Sequence, residues 1–151
     1  MKKNLSSYPV IIEQNVAWSD MDAHDHVNTV VYFRYMENAR CEYYHQIGKY
    51  TFEERTGITL IMKSVHCRYL SPLAYPDRIS IGARVNKIAW DHIVMGYIVA
   101  TIPLGRVAAT GQSTIVALKI ADNTKFPIPD EFKDRILDLQ QGALAPIVET
   151  V

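Results

Sequence analysis

The sequence has little of several features that would place a protein in a special class. Its 151 residues include only two cysteines, Cys41 and Cys67, which are too few for a disulfide framework and have no CxxC-type ligand spacing. No apolar run approaches the roughly 20 residues of a membrane-spanning helix, and MKKNLSSYPV lacks the apolar core of a secretory signal. We expect reduced, structural cysteines, a cytoplasmic location and no membrane partner.

An excess of charge of either sign is also absent. The 16 basic residues balance the 16 acidic ones, and the isoelectric point is near 7.0. Proteins that bind nucleic acid generally carry a basic footprint, so no nucleic-acid partner is expected, and an anionic ligand would have to meet a local patch. The length favours one domain, over residues 1–151, with room for a sizeable core.

One long helix is predicted from Val30 to Ile47. Apolar or aromatic residues recur there at spacings of three and four, and Gly48 follows where a helix would stop. The residues of this pattern are Tyr32, Met36, Ala39, Tyr43 and Ile47. Two shorter helices are predicted in YTFEERTG and in PIPDEFKDRILDLQQG, which end at Gly57 and Gly142.

The rest of the chain favours strands. The predicted strands are VIIEQNVAW at residues 10–18, then ITLIMKSVHCRYL, RISIGARVNKIAW, HIVMGYIVAT and GRVAATGQSTIVALKI. The short breaks at SPLAYPD, WDH and PLG suit antiparallel neighbours and predict a meander. This order of elements predicts the α+β class, with a long helix on one face of a five-stranded antiparallel sheet.

The stretch SDMDAHDHVN, at residues 19–28, concentrates ionisable side chains just before the long helix. In an extended chain Asp20, Asp22, His24 and His26 would share one face, which suggests a metal site. Neighbours on one face of a strand are, however, about 6.5 to 7 Å apart and diverge, so four of them seldom converge on one ion. We therefore expect no metal and no other cofactor.

Two other interpretations fit the same stretch. It can be a polar loop that caps the helix, with Asn28 or Thr29 as the N-cap. It can also be a catalytic site, because the first backbone N–H groups of a helix have no internal partner and can donate to an oxyanion, while a nearby carboxylate attacks or activates water. Hydrolysis of an activated acyl group such as a thioester requires only these groups. The chain has no GxSxG motif for a serine nucleophile.

The residues from Trp18 to Arg40 resemble the start of the central helix in hotdog-fold acyl-CoA thioesterases of the 4-hydroxybenzoyl-CoA thioesterase type. They match the pattern D-x-D-x-x-x-H-V-N-x-x-x-Y-x-x-x-x-E-x-A-R, with Thr29 where a second asparagine is common. The similarity continues through VHCRYLSPLAYPDRISI and GRVAATGQSTIVALKI. The resemblance implies a hotdog fold, thioester hydrolysis, and a homodimer or homotetramer with the active site between protomers.

The resemblance also implies site residues. Asp22 matches the catalytic carboxylate, as nucleophile or general base, and the backbone amide of Thr29 matches the oxyanion donor. The supporting residues are Asp20, His26, Asn28, Tyr32 and Glu37. In another hotdog subgroup a helix glutamate is catalytic, but here Glu37 is expected to pair with Arg34 or Arg40.

The predicted substrate is an acyl-CoA, with an acyl carrier protein thioester as a close variant and non-catalytic acyl binding as the alternative. Four tyrosines of the long helix could line an acyl pocket or fill the core, namely Tyr32, Tyr35, Tyr43 and Tyr44. The phosphates of coenzyme A should seek cations, and the candidates are Arg68, Arg84, Lys87 and Arg106.

Overall fold

A computed structural model describes residues 5–102 and 105–149 of the chain. The first four residues of MKKNLSSYPV and the Pro-Leu pair of the predicted PLG turn lie outside the described residues. In the described ranges, no helix is both long enough and apolar enough to cross a membrane. Cys41 and Cys67 are both free thiols, as predicted.

The predicted helices and strands are all present, with shifted ends. The helices are α1 (Val31–Gln46), α2 (Lys49–Thr56) and α3 (Asp130–Leu139). The strands are β1 (Val10–Asn15), β2 (Ile58–Tyr69), β3 (Arg78–Ile88), β4 (Ile93–Thr101), β5 (Val107–Lys119), β6 (Thr124–Phe126) and β7 (Ile147–Val148). The first strand ends earlier than predicted, because the chain turns into a short 3₁₀ helix at Trp18–Asp20.

The described strands form one sheet in the order β1-β3-β4-β5-β2, with β6 beside β5 and β7 beside β3. The five long strands pair antiparallel, and only β7 runs parallel to its neighbour. The predicted meander is correct for β3, β4 and β5 but wrong for β2. Because β1 occupies the outer edge of β3, β2 pairs instead with β5 and becomes an edge strand.

Helix α1 fills the core against one face of this sheet. Met36, Ala39, Tyr43 and Ile47 are each no more than 1% exposed, as the spacing of three and four predicts. The sheet contributes alternate residues of its strands to this core. Gly111 of β5 packs so closely against Met36 of α1 that a Cβ atom at this position would clash with it. The predicted α+β class, with a long helix packed on an antiparallel sheet, is therefore confirmed.

The face of β3 that points away from α1 is more buried than its alternating pattern predicts. Ile79, Ile81 and Val85 are buried as expected, but Ser80 and Gly82 are buried too. A Cβ atom on Gly82 would lie 2.8 Å from the ring of Tyr8, so the amino-terminal segment covers this part of the outer face. The pattern of β3 alone could not show that a distant segment packs there.

Candidate active site

The residues between the first 3₁₀ helix and α1 form a tight loop. The N–H of Asp22 donates to the carbonyl of His26 at 2.8 Å, and Met21 and Val27 form an isolated antiparallel bridge. Asp25 lies at the tip with a φ of 61°, a left-handed conformation that aspartate tolerates better than most residues. This reversal breaks the extended geometry on which the metal interpretation depended.

The loop presents the carboxylate of Asp22 in a defined way. Its Oδ1 accepts the backbone N–H of His24 at 2.8 Å and that of His26 at 3.4 Å. These bonds, that of His24 first, lower the pKa of Asp22 below its ordinary value of 3.8. Within residues 5–102 and 105–149 no donor reaches Oδ2. One carboxylate oxygen is thus anchored, and the other is available for chemistry.

Asp22 lines a cavity of about 420 Å³ at the start of α1. The predicted residues His26, Thr29 and Tyr32 line the same cavity, and residues 69–72, which end β2 and follow it, form the opposite wall. Tyr32 is 3% exposed, and its ring packs edge-on against that of Tyr69 with centroids 5.0 Å apart. Four of the predicted site residues therefore meet in one place.

The backbone at Thr29 is held without using its own N–H group. Its carbonyl accepts the hydroxyl of Tyr69 at 2.7 Å, while its N–H has no acceptor in the described ranges. The Oδ1 of Asn28 accepts the N–H of Val30 at 3.0 Å, and the carbonyl of Asn28 accepts that of Val31 at 2.9 Å. Asn28 thus serves the helix start, although the helix begins later than predicted and Val30 occupies the cap position.

Tyr69 is the residue that the sequence interpretation missed. It lies in a quoted strand segment, yet nothing in the sequence shows that β2 ends beside the loop before α1. Its ring covers part of Tyr32 and its hydroxyl holds the carbonyl of Thr29. Tyr69 thus contacts two of the predicted residues that line this cavity.

The predicted residues Asp20 and Tyr35 lie outside this cavity. Asp20 accepts the N–H of Ala17 at 3.0 Å, which holds the loop as predicted, and also accepts the hydroxyl of Tyr35 at 2.8 Å. Tyr35 is 1% exposed and does not line the cavity of Asp22, so the structure places it in the core. Burial, followed by this bond to Asp20, raises the pKa of Tyr35.

Glu37 also lies outside the cavity of Asp22. Its Oε1 is 3.2 Å from Nε of Arg34, which is the predicted pairing at i and i+3. Both side chains are at least half exposed, and they line a separate depression on the other flank of α1. Glu37 therefore shares no surface with Asp22.

The four candidate cations divide into two pairs. Lys87 forms an ion pair with Glu149 at 2.9 Å, and Arg106 donates to Ser71 at 2.9 Å and to the carbonyl of Pro72 at 3.0 Å. Arg68 and Arg84 together line a different cavity, on the face of the sheet opposite α1. Among the described residues, Lys87 is paired with a carboxylate, whereas Arg106, Arg68 and Arg84 are not.

The acidic residues and histidines of the loop do not converge. Asp20 points toward Tyr35, while Asp22, His24 and His26 line the cavity. Across the part of the chain that the structure describes, no three histidine, cysteine, aspartate or glutamate side chains are placed to hold a metal ion. The arrangement that remains is a carboxylate with a free oxygen beside a backbone amide with no acceptor.

Comparisons with known proteins agree on one family. The sequence model of the thioesterase-like superfamily matches residues 16–136. The long-chain acyl-CoA thioesterase FadM of Escherichia coli is 17% identical over 116 residues, which cover 77% of this chain and 88% of FadM.

Solved structures resemble the whole architecture. A Thermus thermophilus thioesterase complexed with coenzyme A and zinc is 28% identical, with a TM-score of 0.78 over 88% of this chain and 95% of that one. A 1,4-dihydroxy-2-naphthoyl-CoA thioesterase from Synechocystis is 15% identical, with a TM-score of 0.77 over 88% of this chain and 98% of its own, a likeness of fold.

Proposed function

Because the chain belongs to the thioesterase-like superfamily, has the hotdog fold and is a thioester hydrolase, we propose that it hydrolyses acyl-CoA at the cavity of Asp22. In this proposal Asp22 supplies the reactive carboxylate and the backbone N–H of Thr29 polarises the thioester carbonyl. The observation that carries it is that both residues line one cavity, each with an unused group.

The chemistry can follow two routes that share the same oxyanion. With Asp22 as general base, the carboxylate takes a proton from water, and the resulting hydroxide attacks the thioester carbon. The carbonyl electrons move to the oxygen, and the resulting oxyanion accepts a hydrogen bond from the backbone N–H of Thr29. Collapse of this tetrahedral intermediate breaks the C–S bond, and the departing thiolate takes up the proton.

With Asp22 as nucleophile, Oδ2 attacks the thioester carbon directly. The C–S bond breaks, the thiolate leaves, and an acyl-aspartyl anhydride forms. Water then cleaves this anhydride and releases the free acid. The proton left on the Asp22 carboxyl passes to the thiolate, which restores the carboxylate. Both routes require an ionised Asp22 at neutral pH, and the lowered pKa of its carboxyl meets that requirement.

The surroundings of Asp22 support catalysis over simple acyl binding. An acyl-binding pocket gains nothing from a carboxylate, because the charge must keep hydrogen-bond partners or water to remain ionised. Here the loop gives one oxygen of Asp22 two backbone donors and leaves the other open. That geometry is useful to a reaction and of no use to a bound hydrocarbon chain.

Release of free thiol from a panel of acyl-CoAs of different length, branching and aromaticity tests the proposal. We expect turnover of at least one acyl-CoA, with strong loss in Asp22→Asn. Turnover of an acyl carrier protein thioester with none of any acyl-CoA would change the assigned carrier while keeping the chemistry. Tight acyl-CoA binding with no thiol release would contradict the proposal.

A further inference from the structure

A cavity of about 810 Å³ lies on the face of the sheet that points away from α1. On β5, Gly111 faces Met36 of α1, so its neighbours Thr110 and Gln112 face outward. These two residues line the cavity together with His66, Arg68 and Arg84. The catalytic proposal makes no use of this surface.

The pairing of the strands builds the floor of this cavity. One row across the sheet is Arg84, Gly96, Gln112 and His66. The next row contributes Ile98, Thr110 and Arg68, while its fourth member, Gly82, is covered by Tyr8. A Cβ atom on Gly96 would come within 2.5 Å of Nδ2 of Asn86, so this glycine lets the amide of Asn86 lie over β4. The floor therefore presents amides and a hydroxyl between two arginines.

The arginines stand on opposite sides of this floor. Arg84 is on β3 and Arg68 is on β2, three strand spacings away, which is about 14 Å across the sheet at the usual spacing of about 4.8 Å, and the two lie in neighbouring rows. Among the residues that the structure describes, no aspartate or glutamate lines the cavity. Two separated cations without a carboxylate suit a ligand that carries more than one anionic group.

Both guanidinium groups keep donors that no described residue accepts. Arg84 is oriented by the ring of Tyr8, 4.4 Å from its centroid, and by hydrogen bonds from its terminal nitrogen to the carbonyl and hydroxyl of Ser7. Its Nε is buried with no partner among the described residues. Arg68 is exposed and forms no hydrogen bond or ion pair with any described residue.

This outer cavity adjoins the cavity of Asp22. Leu70, which directly follows β2, lines both and is 54% exposed. Since β2 is an edge strand, an extended ligand can pass from one face of the sheet to the other around its end. Coenzyme A has matching chemistry, because a long uncharged pantetheine arm separates the thiol from a nucleotide with several phosphates.

We propose that the outer cavity binds the phosphate-bearing nucleotide of coenzyme A through Arg68 and Arg84 while the acyl thioester lies beside Asp22. This inference rests on the proposed function for its ligand. The same chemistry could also hold a free adenosine phosphate, so the test includes both sources.

Calorimetry on the whole protein measures the binding of coenzyme A, pantetheine and adenosine 3′,5′-bisphosphate. In Arg68→Gln, we expect the affinity for coenzyme A to fall about 10- to 100-fold, as for loss of a charged hydrogen bond, with pantetheine binding unchanged. The double variant Arg68→Gln, Arg84→Gln should bind coenzyme A more weakly still. The control Arg78→Gln removes the same charge from β3 outside the cavity, from a side chain that is 48% exposed, and should bind like the wild type.

Kinetics separate this inference from the proposed function. Arg68→Gln should raise KM for an acyl-CoA by a similar factor, leave kcat within about twofold, and leave turnover of the matching acyl-pantetheine unchanged. Wild-type turnover with no effect of the arginine substitutions on coenzyme A affinity would overturn the inference and keep the function.

The opposite pattern is equally informative. In that pattern the protein binds adenosine 3′,5′-bisphosphate through its arginines, binds coenzyme A no more tightly than the bisphosphate, and hydrolyses no thioester. This result would overturn coenzyme A as the ligand. It would also count against the proposed function. Circular dichroism on each variant shows whether the loss of the contact between Arg84 and Tyr8 disturbs the fold, and Arg68→Gln alone decides the question if it does.

Discussion

The hydroxyl of Tyr69 donates a 2.7 Å hydrogen bond to the carbonyl oxygen of Thr29. This bond ties the end of β2 to the peptide just before α1, where the proposed oxyanion donor is located. The residues are 40 positions apart, so the contact exists only in the folded chain. It makes the placement of a backbone amide depend on a side chain of the sheet.

Tyr69→Phe should therefore misplace the oxyanion donor. We expect kcat to fall about 3- to 30-fold with little change in KM, and the free energy of unfolding to fall by about 1 kcal/mol or less, since the ring is 43% exposed. Tyr75→Phe is the control, because Tyr75 is 51% exposed and its hydroxyl has no partner among the described residues. Equal kcat in both variants would refute a positioning role for Tyr69.

The pH dependence of kcat/KM should reflect Asp22. Its pKa lies below 3.8, and the ionised form is the active one, so activity is present above that pKa and is lost as pH falls through it. We expect a flat profile from pH 7 down to about 5. His24→Gln should keep this profile, because the largest cause of the shift is the backbone N–H of His24 and not its side chain.

An acid limb with a midpoint near 6.5, the ordinary value for histidine, would contradict this assignment and point to His24 or His26. Circular dichroism at each pH separates a loss of catalysis from unfolding.

Much of the fold could be predicted because it depends on local patterns. The spacing of Tyr32, Met36, Ala39 and Tyr43 places α1, and the alternation in β3 places its inner face. The position of β2 beside β5 could not be predicted, since a strand pattern does not reveal which edge the strand will join. The same limit hid Tyr69 from the sequence interpretation.

The site divides in the same way. The sequence motif contains both Asp20 and Asp22 and does not separate their roles. In the folded loop, which turns at Asp25, Asp20 accepts the hydroxyl of Tyr35, while Asp22 lines the cavity. The sequence did not distinguish the four basic residues proposed to bind the phosphates of coenzyme A. The structure distinguishes them through partners from distant segments, such as Glu149 for Lys87.

Chelation tests the remaining alternative for the loop. Turnover should survive prolonged treatment with a strong chelator, and the purified protein should contain no stoichiometric zinc, iron or manganese. The reason is that Asp20 is engaged with Tyr35 and does not join His24 and His26. Activity that is lost on chelation and restored by one particular ion would make these histidines metal ligands.

The edge of β2 predicts association. In the described part of the chain its outer edge has no partner strand, and it exposes Ile61 and Met62. We expect at least a dimer in dilute solution, with more than roughly 1,200 Å² buried and with activity that falls on dissociation. Ile61→Lys should weaken association in sedimentation velocity, while Ile120→Lys, at another exposed isoleucine, should not.

A monomer of full activity across a wide concentration range would contradict a site shared between protomers. Association that Ile61→Lys leaves unchanged would mean that another surface forms the interface.

The central claim is that Asp22 performs the chemistry, and the most direct test compares Asp22→Asn with Glu37→Gln. Each substitution replaces a carboxylate by an amide of nearly the same shape, one inside the cavity and one outside it. The single measurement is the rate of thiol release at saturating acyl-CoA. We predict that Asp22→Asn falls by at least about two orders of magnitude with its fold intact, while Glu37→Gln stays close to the wild type. Near-full turnover in Asp22→Asn together with loss in Glu37→Gln would contradict the account.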